Sequence, residues 1–386
     1  MKVIQISASY KPAYIYGGPI MSVAKLCEEL AKDSDIELEV FTTTANGKNE
    51  LSVAPNNPVI VDGVKVKYFK RITKDHTHFS PTLLKALRKE ILDCRAINKQ
   101  VIIHIHAWWN LVSILSCWLA QWYNVPVVLS PRGMLTNYSL NNRNNLPKRL
   151  IHNLKGKSLL KYCYMHATSK KEKEDIIGFI RPIGIEVIYN LISMPESALA
   201  DVETNSTPIF KLIFLSRIEE KKGLELIFKA LSNLTTNWVL TIAGAGETEY
   251  IEHLKTYATS LNIEKKLNWV GQISNEDKFN LFKSNDLMVL TSYNENFANV
   301  VIESLSVGTA VLISEEVGLA DYVKSNELGW VASLNVEAIK SEIIEAFNMH
   351  QKRLEIREKA PEKIKRDFNS TLLAKKYINL YLKLIS

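Results

Sequence analysis

Cysteine is scarce in this chain of 386 residues, and none of its spacings suits a metal site. Cys27, Cys94, Cys117 and Cys163 lie far apart and form no CxxC pair or Cys/His ligand spacing. This pattern excludes the usual zinc modules. Four isolated cysteines predict reduced thiols in a cytosolic protein.

Long hydrophobic segments that target or anchor a protein are also missing. The first ten residues lack the apolar core and small-residue cleavage site of a secretory signal, so export by that route is not expected. The longest uncharged run, 107–131, is divided by Asn110, Gln121, Asn124 and Pro126. A helix-sized and a strand-sized piece result, which predicts buried interior and not a membrane span.

Two signatures of nucleotide enzymes are absent. No GxGxxG motif follows the first strand, and AGAGET at 243–248 has only two of the glycines, which argues against a dinucleotide-dependent dehydrogenase. An Asp-x-Asp triplet after an apolar strand would indicate a metal-dependent enzyme. The only such triplet in the sequence, Asp33-Ser34-Asp35, follows a helix-like segment instead, so we interpret it as a turn. We therefore expect neither a resident cofactor nor an obligatory metal ion.

Apolar residues are abundant and are arranged in short runs. Hydrophobic residues make up 46% of the chain, and its length exceeds one comfortable core, so two globular domains are predicted. In the first half, strand-like runs alternate with helical patterns, which predicts a parallel sheet. The pair Asp62-Gly63 predicts one antiparallel hairpin within it. The strand-like runs are 3–7, 38–42, 101–106, 127–130 and 164–168.

The alternation fades at 190–208, where polar residues predict the domain boundary. Strand-like runs then begin at 211, 238, 267, 286 and 310, each followed by a helix-like segment, so a second parallel sheet is predicted. Apolar residues at helical spacing predict a terminal helix. The predicted organisation is a first α/β domain at 1–190, a linker at 191–209, a second α/β domain at 210–367 and a helix at 368–386.

The strongest chemical signal is the segment SYNENFANVVIESLSVGTAVLIS at 292–314. A loop after an apolar strand contains Glu295, a helix begins near Ala298, and Glu303 follows within that helix. Glu295 can reach a sugar hydroxyl and Glu303 both hydroxyls of a ribose, because this topology places them at the carboxyl edge of a parallel sheet. The alternative is two solvated charges near a helix start. The amides predicted to bind a phosphate are those of Phe297, Ala298, Asn299 and Val300.

Two cations are predicted at the same edge. FLSRIEEKKGLELIFKAL places Arg217 at a strand end and Lys222-Gly223 at the start of the next helix. A diphosphate leaving group gathers negative charge as a glycosidic bond breaks, so fixed cations here would stabilise the transition state without a metal. The alternative is a pair of ordinary surface cations beside Glu219 and Glu220.

The order of these motifs resembles family 4 of the retaining glycosyltransferases. The matching features are Arg217, Lys222-Gly223, IAGAGE at 242–247 and the segment at 295–303. The resemblance extends over nearly the whole chain. It implies the GT-B fold, in which two Rossmann-like domains face each other across a cleft and a C-terminal helix crosses back to the first domain.

The resemblance also implies roles for individual residues. Arg217 and Lys222 would hold the diphosphate of a nucleotide-sugar donor. Glu303 would bind the donor ribose and Glu295 would contact the donor sugar, with Gly244 also in the donor site. By analogy with the family, the acceptor attacks the donor sugar from the same face from which the diphosphate leaves. The anomeric configuration is then retained, and no protein nucleophile is required.

The first half contributes further candidates. Gly17-Gly18 lies between the first strand and the first helix, where a backbone without side chains can approach a phosphate. IIHIHAWWN places His104 and His106 on one face of a strand. The family has a histidine beside the reacting sugar, which we assign to His106 because it is nearer the strand end. His104 is interpreted as a core residue.

Three positions depart from the family pattern. Ala298 stands where glycine is common, IYNLIS at 188–193 keeps only Asn190 of a proline-asparagine-glycine turn, and GTAVL at 308–312 lacks a customary proline. None of these changes removes a charged catalytic group, so loss of activity is not implied.

SPRGML at 130–135 resembles a segment of family members that build bacterial surface polysaccharides. Arg132 is therefore a candidate contact to acceptor or donor. The implied reaction moves a hexosyl or N-acetylhexosaminyl group from a nucleotide sugar, with UDP favoured and GDP possible, to a lipid-linked saccharide. The implied pathways are O-antigen, capsule or exopolysaccharide assembly.

Positive charge is concentrated in one segment. Residues 131–171 contain nine Lys or Arg and no Asp or Glu, and 143–161 has the pattern of a basic amphipathic helix. Such a face predicts peripheral binding to the anionic cytoplasmic side of the inner membrane. A solvated domain helix is the alternative, and nucleic acid is not an expected partner because no binding module accompanies the charge.

Two other functions fit the same features. A sugar-nucleotide epimerase or hydrolase of this architecture would turn over without an acceptor. A membrane-docked scaffold that binds a nucleotide sugar without turnover is suggested by the altered turn residues, and it would tolerate replacement of Glu295 or Lys222.

Overall fold

A computed structural model describes residues 1–136, 155–195, 209–274 and 277–385. The chain forms two compact units, and the first combines Met1–Leu191 with Phe368–Ser386. The second unit is Ile192–Asp367. The first segment of the first unit ends at Leu191, one residue after the predicted domain end at 190, and the second unit ends at Asp367, as the predicted domain does.

The first unit is built on an eight-stranded sheet in the order β10-β9-β8-β7-β1-β2-β6-β5. All neighbouring strands in it are parallel except β5 and β6, so the predicted parallel sheet is confirmed. A separate antiparallel pair, β3 and β4, lies outside it. The strands are β1 Lys2–Ser7, β2 Glu37–Thr43, β3 Ala45–Asn46, β4 Asn49–Glu50, β5 Pro58–Val61, β6 Val64–Phe69, β7 Val101–His106, β8 Val127–Ser130, β9 Tyr164–Ala167 and β10 Gly184–Val187.

The predicted hairpin joins β5 to β6. Val61 pairs with Val64 across Asp62 and Gly63, whose φ angles are 48° and 79°. A two-residue turn with both φ values positive matches the right-handed twist of the flanking strands. The antiparallel excursion predicted from Asp62-Gly63 is confirmed.

Helices cover both faces of this sheet, each with an apolar stripe toward the strands. Asn110 and Ser169 cap two of them by accepting hydrogen bonds from Ser113 and Glu172 amides. The helices are α1 Gly18–Leu30, α2 Pro81–Ala96, α3 Leu111–Trp122, α4 Lys157–Tyr162 and α5 Lys170–Phe179, with a short 3-10 helix at Tyr14–Tyr16.

The terminal helix belongs to the first unit, as predicted. It spans Ser370–Ile385 and packs Leu373, Tyr377, Leu380 and Tyr381 into the core beneath β1 and α1. Its amphipathic pattern reflects this burial, because the exposed positions between these residues include lysines.

The second unit has a six-stranded parallel sheet in the order β13-β12-β11-β14-β15-β16. Five strands coincide with predicted runs. The sixth, β16, and the edge strand β10 of the first unit were not predicted, because each has four residues and begins at a glycine. The strands are β11 Phe210–Leu215, β12 Trp238–Ala243, β13 Leu267–Gly271, β14 Leu287–Leu290, β15 Ala310–Ser314 and β16 Gly329–Ala332.

Helices follow the strands of the second unit in alternation, which gives it the Rossmann-like arrangement. Among the helices within the described residues, none combines the length and apolarity needed to cross a membrane. The helices are α6 Leu224–Ser232, α7 Thr248–Ser260, α8 Asp277–Lys283, α9 Asn299–Ser306, α10 Ala320–Ser325, α11 Val336–Asn348 and α12 His350–Asp367, and the terminal helix is α13.

An ion-pair cluster at the start of β1 predicts acid sensitivity. Lys2 Nζ lies 2.9 Å from Glu37 Oε1, and Glu37 also pairs with Lys99. Hydrogen bonds from Lys99 and Lys2 lower the pKa of Glu37 from 4.5 to about 2. A depressed folded-state pKa contributes stability above the unfolded value and loses it as pH falls.

We therefore expect the urea midpoint of Glu37→Gln to fall less steeply than that of the wild type between pH 4.5 and pH 2. Urea denaturation at several pH values measures this. Glu186→Gln, at an exposed carboxylate of β10, serves as the control. Parallel curves for Glu37→Gln and the wild type would show that Glu37 carries none of the acid response.

Candidate functional site

The loops that follow β11 and β12 pack backbone against backbone. A Cβ atom on Gly244 would lie 1.8 Å from the Ser216 carbonyl oxygen, and one on Gly246 would lie 2.2 Å from that of Ile218. Gly244 also has φ +142°, which L side chains rarely adopt. The glycines of the 242–247 motif are thus required by packing, and they fix the loop that carries Arg217.

Arg217 follows β11 at the carboxyl edge of the sheet. Its side chain is about half exposed, and its NH1 lies 2.7 Å from Glu219 Oε1. An exposed pair of this kind is worth little in water, so the guanidinium is available to an anion. The Gly244 amide, in contrast, donates to the Gly271 carbonyl at 2.8 Å. The assignment of Gly244 to donor binding stays a prediction.

A 3-10 turn positions the second predicted cation. It spans Glu220–Lys222 and ends at Gly223, whose φ of 71° is left-handed. A Cβ atom on Gly223 would lie 2.2 Å from the Thr291 carbonyl oxygen, so only glycine lets the start of α6 approach the end of β14. This approach brings Lys222 to the loop that carries Glu295.

Lys222 and Glu295 form an ion pair. The Lys222 ammonium donates to Glu295 Oε2, and the Lys222 and Glu295 side chains are only 7% and 20% exposed. Burial raises the pKa of the Glu295 carboxyl, but the charges of Lys222 and Lys221 outweigh it and hold that pKa below its ordinary value. Glu295 is therefore ionised, and Arg217 adds to the same positive field.

Lys221 is a member of this cluster that the sequence did not indicate. Burial lowers the pKa of the Lys221 ammonium, and neighbouring Lys222 and Arg217 lower it further, while Glu295 opposes them. The charges of three cations thus act on one largely buried carboxylate. The sequence signal for Lys221 was its position next to Lys222 in KKG. Sequence spacing does not show whether one or both of two adjacent lysines face a site.

The Glu295 loop is held by its backbone. Its amide donates to the Glu316 carbonyl at 3.1 Å, and its carbonyl accepts from Gly318 at 2.8 Å. Ala298 then caps α9 with φ 66° and ψ 75°, in the left-handed region. That conformation costs an L-residue about 1 to 2 kcal/mol and accounts for the glycine usual at this position. Phe297 is buried, and Asn299 and Val300 begin α9.

Glu303 has a partner that the sequence did not predict. Lys278 of α8 lies 2.8 Å from Glu303 Oε1, and both side chains are largely buried. Glu303 is five residues past Ala298, so it lies about 7.5 Å along the helix axis from the cap. The structure therefore brings Arg217, Lys222 and Glu295 together, and it places Glu303 further along α9 in contact with α8.

The glycine pair of the first unit lies at a helix start. Gly17, with φ 68° and ψ −140°, ends the 3-10 helix and precedes α1, which begins at Gly18. Apart from the two neighbouring residues, no atom of the described part of the chain lies within 4 Å of the position that a Gly17 Cβ would occupy. The positive φ requires glycine here, and the open space leaves the backbone accessible.

His104 and His106 lie on one face of β7, and both are buried. His104 contacts Tyr381 Oη and Ser130 Oγ, each at 2.7 Å, which makes it a core residue as predicted. His106 Nε2 lies 2.7 Å from Gln5 Oε1, which can only accept. Burial lowers the pKa of both imidazoles well below the ordinary value, so both rings are neutral.

Arg132 completes the environment of His106. Its φ is 53°, and Gly133 follows with φ 75°. The guanidinium donates to Ser22 Oγ and Asn190 Oδ1 at 3.0 Å, and it lies 3.3 Å from His106 Nδ1. His106 Nδ1 therefore accepts, and the ring proton is on Nε2. Asn190, the one residue kept from the altered turn, has a role in holding Arg132.

Two predictions concern other segments. The triplet Asp33-Ser34-Asp35 follows α1, and the Asp35 amide donates to Asp33 Oδ1 at 2.9 Å, as in a turn. The basic segment 143–161 lies mostly outside the described residues. Of its cations, Lys155, Lys157 and Lys161 are described, and the last two belong to α4.

Comparison with known proteins adds to this geometry. Residues 16–194 match the family model described as "Glycosyltransferase Family 4", and residues 200–363 match the model described as "Glycosyl transferases group 1". Together the two models account for nearly the whole chain. The chain belongs to glycosyltransferase family 4. It is therefore an enzyme of the glycosyltransferase class.

Two relatives of this family 4 glycosyltransferase are identical to it at about a quarter of the aligned positions. An uncharacterised glycosyltransferase of Methanocaldococcus jannaschii is 23% identical, with 99% of this chain and 98% of the relative covered. A Campylobacter jejuni enzyme, named as a diphospho-undecaprenol 4-alpha-N-acetylgalactosaminyltransferase, is 26% identical over 49% of this chain and 53% of its own.

Solved structures show the fold of this glycosyltransferase. HepE of Anabaena, solved with UDP and glucose, superposes with a TM-score of 0.74 at 16% identity, with 100% of both chains covered. A sucrose-phosphate synthase of Thermosynechococcus elongatus gives 0.73 at 19% identity, with 100% and 99% covered. The predicted GT-B fold with two Rossmann-like domains is confirmed.

Proposed function

We propose that this enzyme is a retaining transferase that moves a hexosyl or N-acetylhexosaminyl group from a nucleotide sugar to a lipid-linked saccharide. The pathway we propose is the assembly of a bacterial surface polysaccharide. The observation that carries the proposal is the ion pair of Lys222 with the largely buried Glu295, in the positive field of Lys221 and Arg217. A diphosphate is the ligand that such a concentration of positive charge at a sheet edge suits.

Each residue of the cluster has a role in this proposal. Arg217 and Lys222 bind the diphosphate and stabilise the charge that it gains as the glycosidic bond breaks. Glu295 orients the donor sugar, and Glu303, held by Lys278, binds the ribose hydroxyls. Because cations of the chain supply this stabilisation, we propose that no metal ion is required and expect EDTA to leave the rate unchanged.

The first unit supplies the acceptor side of the proposal. The Nε2 of neutral His106 carries the ring proton and donates to Gln5, so only Nδ1 can accept a hydrogen bond or a proton. Nδ1 becomes available to a substrate when the Arg132 guanidinium moves away from it. His106 beside the reacting sugar and Arg132 toward an acceptor phosphate are the roles that we propose. Gly17 and Gly18 would bring backbone close to a phosphate of the donor, which is the role that we propose for them.

Two relatives support the choice of substrates. The name of the Campylobacter jejuni enzyme specifies a diphospho-undecaprenol substrate, which favours a lipid-linked acceptor. The Anabaena structure was solved with UDP and glucose, which favours a UDP donor, with GDP as the alternative. We propose that the enzyme acts at the cytoplasmic face of the inner membrane, where such acceptors and nucleotide sugars meet, and that the basic 143–161 segment contributes to its binding there.

A donor screen followed by product analysis tests the proposed function. We expect one UDP- or GDP-sugar to raise Tm, since ligand at about 100 times its Kd adds roughly 2.7 kcal/mol of stability. With a lipid-linked saccharide present, mass spectrometry should show the acceptor heavier by one hexose or N-acetylhexosamine. Nucleotide release at the same rate without acceptor would identify a hydrolase, and an isomerised donor would identify an epimerase. Either result contradicts the proposal.

A further inference from the structure

Helix α3 presents two tryptophans to solvent. Trp118 and Trp122 are 43% and 71% exposed, and their rings meet edge to face with centroids 6.3 Å apart. They are four residues apart, so they share one face of the helix. Single exposed apolar side chains are common, but adjacent ones form a contiguous apolar surface, which is characteristic of interaction sites.

Cations flank these tryptophans on the side of α2. Arg88 Nε donates to the hydroxyl of Tyr123 at 2.8 Å, and the Arg95 guanidinium lies 5.4 Å from the centre of the same ring. Tyr123 follows Trp122 at the end of α3, so both guanidinium groups lie at that end of the helix. The exposed carboxylate of α2, Asp93, is about 140 to 160° around the helix from these arginines.

Helix α4 supplies cations on the other side. Cys117 of α3 packs against Cys163, which follows α4, with the two sulfur atoms 3.3 Å apart. Lys157 and Lys161 are exposed on α4 at positions that share a face. Neither lysine has an ion-pair partner among the described residues of the chain.

We propose that these six residues form a membrane-docking surface for an anionic lipid bilayer. This Trp surface consists of Trp118, Trp122, Arg88, Arg95, Lys157 and Lys161. Tryptophan prefers the boundary between headgroups and acyl chains, and lysine and arginine beside it are attracted by anionic headgroups. Four cations beside two tryptophans fit an anionic lipid surface better than a protein interface, whose centre is depleted in lysine.

This inference rests on the membrane binding of the proposed function and deepens it, because Lys157 and Lys161 belong to the 143–161 segment and the Trp118 and Trp122 face of α3 is added to them. It requires no turnover, so its failure is distinguishable from failure of the proposed transfer. Sedimentation with vesicles, without donor or acceptor, tests it. We expect the wild type to bind vesicles of equal parts phosphatidylglycerol and phosphatidylcholine, and to release as salt rises. Trp118→Ser/Trp122→Ser should lower the partition coefficient at least about tenfold, and Lys157→Gln/Lys161→Gln about 30-fold.

A matched control uses two other exposed apolar residues of the first unit. Leu372 and Leu382 of α13 are 54% and 49% exposed, and Leu372→Ser/Leu382→Ser should bind vesicles like the wild type. Equal Tm values establish that each variant folds. Wild-type binding by Trp118→Ser/Trp122→Ser would overturn the proposal. The proposal would also be overturned if the wild type did not bind vesicles and its tryptophans instead mediated self-association of the chain or binding of another protein.

Discussion

Replacing Lys222 by methionine is expected to lower kcat by about 10²- to 10³-fold, the usual cost of removing one preorganised group that stabilises developing charge. The ammonium is held by Glu295 in a position that is almost fully buried, so water cannot replace it. The variant should also lose stability, because Glu295 keeps its burial and loses a partner. Rates with a fixed nucleotide sugar and acceptor measure the first effect, and urea denaturation measures the second.

Two further variants separate catalysis from stability. Lys222→Met/Glu295→Gln removes both charges, so it should recover much of the lost stability and remain as inactive as the single variant. Lys265→Met changes an exposed lysine in the 3-10 helix Glu264–Lys266 and should leave both quantities unchanged. If the kcat of Lys222→Met lies within threefold of the wild-type value, Lys222 has no role in the reaction. A scaffold that binds a nucleotide sugar without turnover would also tolerate this replacement.

Gly244→Ala is expected to destabilise the second unit by about 3 kcal/mol or more, at or above the upper end of what single substitutions usually cost. The new Cβ would lie 1.8 Å from a backbone oxygen of Ser216, and a φ of 142° opposes any L side chain. Backbone cannot rotate away as a flexible side chain can, so the loop that carries Arg217 must shift. We expect donor affinity to fall together with the urea midpoint.

A second glycine provides the comparison for Gly244. Gly178 lies in α5 without a positive φ, and outside that helix no atom of the described residues lies within 4 Å of where its Cβ would be. Gly178→Ala should therefore be neutral or stabilising by up to about 1 kcal/mol, because alanine favours helix and restricts the unfolded chain. If Gly244→Ala unfolds at the same urea concentration as the wild type, the close packing of these two loops is not required.

Much of the fold could be predicted from local patterns. Strands such as β7 and β15 are continuous apolar runs between turn residues, and the Asp62-Gly63 turn needs only its own two residues to be recognised. The edge strand β10 and the last strand β16 were not predicted, because a strand of four residues that begins at a glycine carries little periodic signal.

The site was predictable where a motif is local and not where its partners are distant. Glu295 and Lys222 were singled out by loop and helix positions, although their pairing spans 73 residues. Lys278 was not singled out, because nothing in α8 indicates that it turns toward Glu303. Gln5, which fixes His106, meets Tyr381 across 376 residues, a distance over which spacing has no meaning.

A crystal structure with the nucleotide sugar that most raises Tm tests the central claim most directly. We predict diphosphate oxygens within about 3 Å of the Arg217 guanidinium and Lys222 Nζ, with the Glu303 carboxylate on the ribose. A diphosphate bound elsewhere, with the Lys222 and Glu295 pair undisturbed and Arg217 still on Glu219, would contradict the account.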